Sequence, residues 1–200
     1  ATLPLTWVLM LTGTVPPPPT LATAPLQWHA HEMFFGFGWA MLGGFLLTST
    51  KNWVGIRGHH GGTLIFLAAA WIFERAGMLF GGAWPAALLA LSSYLYLAAI
   101  VGLLLGTLIV HRETDSYRDN VYFWLALPLF LPAKWLLLSP EHFATGRSMV
   151  LALFRLAFLI MLERTLVQFM KGVFQLTLKR IAALDHAIKT LALALVFAPF

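Results

Sequence analysis

Long apolar stretches separated by short polar punctuation dominate the chain. A helix crossing the hydrocarbon core needs about 20 mostly apolar residues. Windows of that kind stand at 32–50, 63–81, 84–110, 121–138 and 149–170. Shorter apolar runs lie near each end, LPLTWVLMLTGTV and IKTLALALVFAPF. The pattern predicts an all-α fold, a polytopic transmembrane helix bundle with five full spans plus a partial span at both ends. It is expected to form one transmembrane helical domain over residues 1–200, the N-terminal half of a longer membrane protein. The opening run lacks the basic flank and the small-residue cleavage site of a signal peptide.

Composition sharpens this picture. The 200 residues are 60% hydrophobic and 10% charged, with a mean hydropathy of +0.80; soluble chains average about a quarter charged. Water-soluble enzymes and disordered tails are thereby excluded. The net charge of +5 comes from 13 bases and 8 acids, and the bases form no stripe of the kind that nucleic acid requires. They follow the loops instead. Lys51, Arg57, Arg112, Arg118, Lys171, Lys179 and Arg180 fall on one side and Arg147 on the other. Short cytoplasmic loops are enriched in Lys and Arg, so the first side is expected to be cytoplasmic and the segment QWHAHE periplasmic. Pro16 to Pro19 read as a stiff extended connector. Trp28, Trp53, Trp84, Trp124 and Trp135 stand near span ends as interfacial anchors or as packing residues. With no cysteine, disulfides, thiolate metal sites and covalently attached haem are ruled out.

Several charges fall inside the spans, where each costs about 2.5 to 3.5 kcal/mol on insertion scales. Glu74 and Arg75 lie in the second span, Glu163 and Arg164 deep in the fifth, and Arg155 earlier in that helix. Adjacent helical residues point about 100° apart, so neither Glu-Arg dipeptide is expected to close on itself. The economical expectation is that Glu74 and Arg75 meet Arg164 and Glu163 across helices in a buried network. That network is either a structural clamp, a proton path or a set of anchors for haem propionates. Lys134 is expected to carry its amine to the interface.

His29 and His31 flank Ala30 at the outer mouth of the first full span, with Glu32 and Met33 following. Imidazole ligates haem iron and copper, and methionine suits reduced copper. On a regular helix the two rings point about 200° apart, so both reach one ion only if this stretch is extended. Glu32 either caps a helix start or orients a ligating imidazole. Capping and metal ligation both remain open on spacing alone. His59 and His60, in IRGHHGG, read as a solvated loop, and His111, His142 and His186 as interfacial residues.

The run from Trp28 to Gly55, WHAHEMFFGFGWAMLGGFLLTSTKNWVG, resembles the NnrS family closely. The resemblance rests on His29, His31, Glu32, Met33, the Phe-Gly-Phe at 35–37, the stretch 44–48, and Asn52 with Trp53. More loosely, Arg75 and Arg164 look like family arginines in later spans. The family usually has Gly before the latter and Pro-Phe-Phe after it, where this chain has Glu163, Val167 and Gln168. The family's second half, with further histidines, is absent from these residues. The resemblance implies a multi-pass bacterial inner-membrane protein of about twelve helices that contains haem and copper. It implies a role in denitrification and protection from nitric oxide. His29 and His31 become the ligand candidates, Glu32 and Met33 their supports, and Arg75, Arg164 and Arg155 the propionate anchors. The expected partners are then the lipid bilayer, nitric oxide or a related small molecule and an electron donor of unknown identity, with no nucleic acid. Whether catalysis occurs is left open. The rival expectation is a transporter or ion pathway running through the Glu/Arg network.

Overall fold

The structure, a computed structural model, describes residues 2–176 and 181–200. The expected Lys179 and Arg180 therefore lie outside the described residues. All the regular structure among those described is helical. The chain divides into two compact units, Ala1–Thr107 and Leu108–Phe200, and each is taken by itself.

In the first unit, α1 (Thr2–Leu11) precedes the proline connector. The connector ends by docking on the unit's own helices: Thr20 Oγ1 donates to the Leu79 carbonyl at 2.8 Å, and the Ala22 amide to that of Met78 at 3.2 Å. Next comes α2 (Pro25–His31), with proline at its first turn, where the missing N–H costs nothing. It runs on through a π-helical stretch, Glu32–Gly38, into α3 (Trp39–Val54). The three make one continuous apolar helix of 30 residues. This span begins seven residues earlier than the apolar window predicts, because Gln27, Trp28 and His31 are buried in protein and need no water. Glu32 is therefore inside a helix and does not cap one.

Helix α4 (Gly62–Phe80), closed by a 3₁₀ turn, and α5 (Ala86–Val110) complete the unit, α5 passing its boundary by three residues. Trp28, Phe35, Trp39, Leu42 and Leu46 are buried, whereas Phe37, Met41, Ile65 and Ile72 are 61 to 72% exposed. Large apolar side chains on the outside are what a lipid-facing surface requires, since lipid offers no water to exclude.

The second unit is built on α6 (Val121–Leu138) and α7 (Phe143–Val173), joined by a short turn, with α8 (Ala182–Ala194) against α7. Phe123, Leu127, Phe130 and Leu137 of α6 are buried, as are Val150, Leu153, Ala157 and Ile160 of α7. At Gly146 the backbone of α7 packs directly on that of α6, and a Cβ there would stand 2.2 Å from the Leu137 nitrogen. Any side chain there would push the hairpin open.

Among the described residues, four helical stretches are long and apolar enough to cross a membrane: Pro25–Val54, Gly62–Ala83, Ala86–Val110 and Arg118–Leu138. The sequence predicts a fifth at 149–170. Helix α7 has the length, at 31 residues, but Arg155, Glu163 and Arg164 interrupt its apolar run. Lys134, expected to reach outward, is fully buried in α6, as Trp28 and Trp53 are in the first unit, whereas Trp135 faces out.

Two buried charge clusters and a stacked imidazole

The π-helical stretch sets the geometry of the first cluster. Its wider turn puts Glu32 and Gly36 against α4, where Glu74 and Arg75 lie. His31 Nε2 is 3.0 Å from Glu74 Oε1, and His31 Nδ1 is 3.4 Å from Glu32 Oε1. Arg75 Nη1 donates to Glu32 Oε2 at 3.1 Å, while Nη2 stands 3.2 Å from Glu74 Oε1. The four side chains thus form a closed cycle, His31, Glu74, Arg75, Glu32. His31 and Glu74 are 0% exposed, Glu32 and Arg75 no more than 9%. An aromatic residue holds the fork in place: the Arg75 guanidinium lies 5.5 Å from the Trp71 ring centre, and Trp71 Nε1 donates to the Gly36 carbonyl at 3.0 Å. A Cβ on Gly36 would stand 2.1 Å from Arg75 Nη1, so a methyl group there would displace the guanidinium from its present place.

This arrangement corrects two expectations. Glu74 and Arg75 do approach each other, because the long arginine folds back and bridges both glutamates. Their cross-helix partners are His31 and Glu32, in place of the expected Glu163 and Arg164.

Glu163 and Arg164 belong to a cluster within the second unit. Arg164 Nη2 donates to Asp119 Oδ1 at 2.9 Å and Nη1 to Asn120 Oδ1 at 2.7 Å. Its guanidinium lies 4.2 Å from the Tyr117 ring centre. Lys189 Nζ, 1% exposed on its side chain, is 2.5 Å from Asp119 Oδ2, 2.6 Å from Glu163 Oε2 and 2.7 Å from Asp185 Oδ2. Asp119, Glu163 and Asp185 are the one group of three potential ligands within metal-holding distance among the described residues. Their shared centre is taken by the ammonium, so the trio neutralises a lysine. Sequence reasoning missed Asp119, Asn120 and Lys189. The signal was there in Asp185 and Lys189, which stand one helical turn apart, the usual spacing for an ion pair.

Arg155 was expected inside a buried network. It is exposed and lines a groove of about 360 Å³ with Ser148 and Ala152 of its own helix and Ala192 and Leu195 beyond.

The two candidate ligand histidines part company. Residues 25–31 are helical, so His29 and His31 project to different sides and do not converge on one ion. Both nitrogens of His31 face carboxylates. The His29 ring, half-buried, lies flat on Trp7, with ring centres 4.0 Å apart and planes within 5°. Met33 is 48% exposed and points away from the cluster.

Apolar helices that carry sealed ionic clusters define the class: a polytopic helical membrane protein. The NnrS protein family profile matches residues 1–200, and the chain belongs to that family. Neither the curated proteins nor the solved structures give a match.

Proposed function

We propose that this chain is part of a haem- and copper-binding inner-membrane protein that acts in nitric oxide metabolism or protection from nitrosative stress, with the QWHAHE segment on the periplasmic side. Family membership supports the role, and the basic loops support the orientation. Fitting the side chains to such a cofactor separates the candidates. His31 fits less well: its ring nitrogens lie 3.0 Å from Glu74 and 3.4 Å from Glu32, so ligating a metal would cost it one of these carboxylate contacts in a fully buried position. His29 does fit. Its ring orientation is fixed by Trp7, and among the described residues neither of its nitrogens is in a hydrogen bond. Close by, the buried indole N–H of Trp28 and hydroxyl of Thr23 have no acceptor among the described residues, so the start of α2 has donors to offer a bound group. A haem or copper centre held there would supply affinity for nitric oxide and one-electron chemistry.

The remaining residues act on His29 and on the helix that carries it. Trp7 restricts the imidazole to one plane, which lowers the ordering cost of ligation. The cycle of His31, Glu32, Glu74 and Arg75 ties α2 and the π-helical stretch to α4, so the imidazole is presented from a rigid support. Arg75 already spends its fork on two carboxylates, and Arg164 spends its own on the Asp119 carboxylate and the Asn120 amide oxygen, which argues against their serving as propionate anchors. The same closure weighs against the ion-pathway alternative, since a charge held by short ion pairs on several sides is poorly placed to hand on an ion.

The observation that carries the reading is the division of labour between the stacked His29 and the carboxylate-bound His31. The test is an optical spectrum and metal analysis of the purified full-length protein, with nitric oxide added. A Soret band that shifts with nitric oxide supports the proposal. A colourless, metal-free protein that dissipates an ion gradient in vesicles overturns it.

A further inference from the structure

The loop between α3 and α4, read above as simply solvated, lines a cavity of about 430 Å³ in the first unit. Its walls change character along their length. At the loop end stand Lys51, Arg57, His59 and His60; toward the middle of α3 stand Gly44, Leu47 and Thr48, with Leu64 of α4 opposite. No carboxylate is among the lining residues, although each acid in the two clusters above is placed against a cation. Gly44 lies about 10 Å along α3 from Lys51, and a Cβ there would meet nothing within 4 Å. The cavity is therefore open at its apolar end.

The histidines are held in place. His59 Nε2 is 3.2 Å from the Thr107 hydroxyl, and His60 Nδ1 donates to the Gly58 carbonyl at 3.0 Å. Because a carbonyl only accepts, that bond assigns the His60 proton to Nδ1 and leaves Nε2 directed elsewhere. The loop itself turns through Gly55 and Gly61, at φ of +70° and +59°, which brings Gly58 against the Lys51 side chain while Arg57 and His60 stay exposed at the cavity rim.

We propose that this cavity is a binding site for one anionic phospholipid, its phosphate against Lys51, Arg57 and His60 and an acyl chain along Gly44, Leu47 and Leu64. The polarity gradient selects this occupant over a free anion. Four cationic or imidazole groups at the membrane–water end of two spans match a phosphodiester, and an apolar floor descending into the membrane matches its chain. Basic residues near an anionic leaflet contribute roughly a five-fold gain in binding each.

The full-length protein, purified in mild detergent, is incubated with vesicles of phosphatidylcholine alone or mixed equally with phosphatidylglycerol, and retained lipid is read by native mass spectrometry. Wild type retains phosphatidylglycerol in preference to phosphatidylcholine. Lys51→Gln with Arg57→Gln lowers that preference by roughly 25-fold, whereas the charge-conserving pair Lys51→Arg with Arg57→Lys keeps it, which separates loss of charge from loss of fold. Gly44→Leu, which changes no charge, fills the apolar end and lowers lipid retention. Equal retention in wild type and the glutamine pair overturns the proposal. So does a site that binds inorganic phosphate with the same charge dependence but is indifferent to Gly44→Leu, since that result assigns it to a free anion.

Discussion

The two charged clusters face the same difficulty and resolve it differently. In the first unit the cycle of His31, Glu32, Glu74 and Arg75 lies in mid-helix, roofed by Trp71 and admitted by Gly36. In the second, Lys189 and Arg164 hold Asp119, Glu163 and Asp185 beside a cavity of about 250 Å³ that Asp119, Asp185 and His186 line. Each cluster sets carboxylates against cations; what distinguishes the two is access. A sealed cluster has no alternative partner when one member is lost, whereas a cluster beside a cavity has water or a dissolved ion within reach. The first is therefore expected to be the more brittle.

The largest effect is expected in the sealed cycle. Arg75→Ala leaves two buried carboxylates without their guanidinium and should cost about 3–5 kcal/mol, read as loss of thermal stability in detergent. Lys189→Met, volume for volume, should cost less, and added Ca²⁺ should restore part of the loss because three carboxylate oxygens then face one vacant centre. If Ca²⁺ stabilises wild type equally, the trio is not acting as the lysine's cage. Gly36→Ala should cost about 1–3 kcal/mol by overpacking against the guanidinium. In an Arg75→Ala background its cost should largely vanish, so equal costs in both backgrounds would remove the contact from the account. Smallest is Trp71→Phe, which keeps the aromatic face but drops the bond to the Gly36 carbonyl, for about 1 kcal/mol.

Much of this was legible in the sequence. Apolar windows found four spans because lipid demands some 20 apolar residues whatever the packing. Their starts were less readable: α2 opens at Pro25 since Gln27 and His31 are buried by contacts that hydropathy does not register. Charges within spans marked Glu74, Arg75, Glu163 and Arg164 as needing partners, and each has them. Which partners they would take was not readable. The choice depends on a π-helical turn that brings Glu32 and Gly36 against α4, and on Lys189 of α8, which the reading of the sequence did not single out. Arg155 looked identical to Arg164 by hydropathy, yet one is exposed and the other buried, because α7 offers opposite faces at those positions.

The claim that organises the rest is that His29 is presented to a cofactor while His31 holds the helix that presents it. It is tested most directly by absorption spectra of His29→Ala and His31→Gln in the full-length protein, each checked for folding by its elution and thermal transition. The account predicts that His29→Ala abolishes or shifts the Soret band in a protein of near-normal stability, and that His31→Gln keeps the band but unfolds at lower temperature. A folded His31→Gln protein without the band, beside a His29→Ala protein that retains it, would contradict the account.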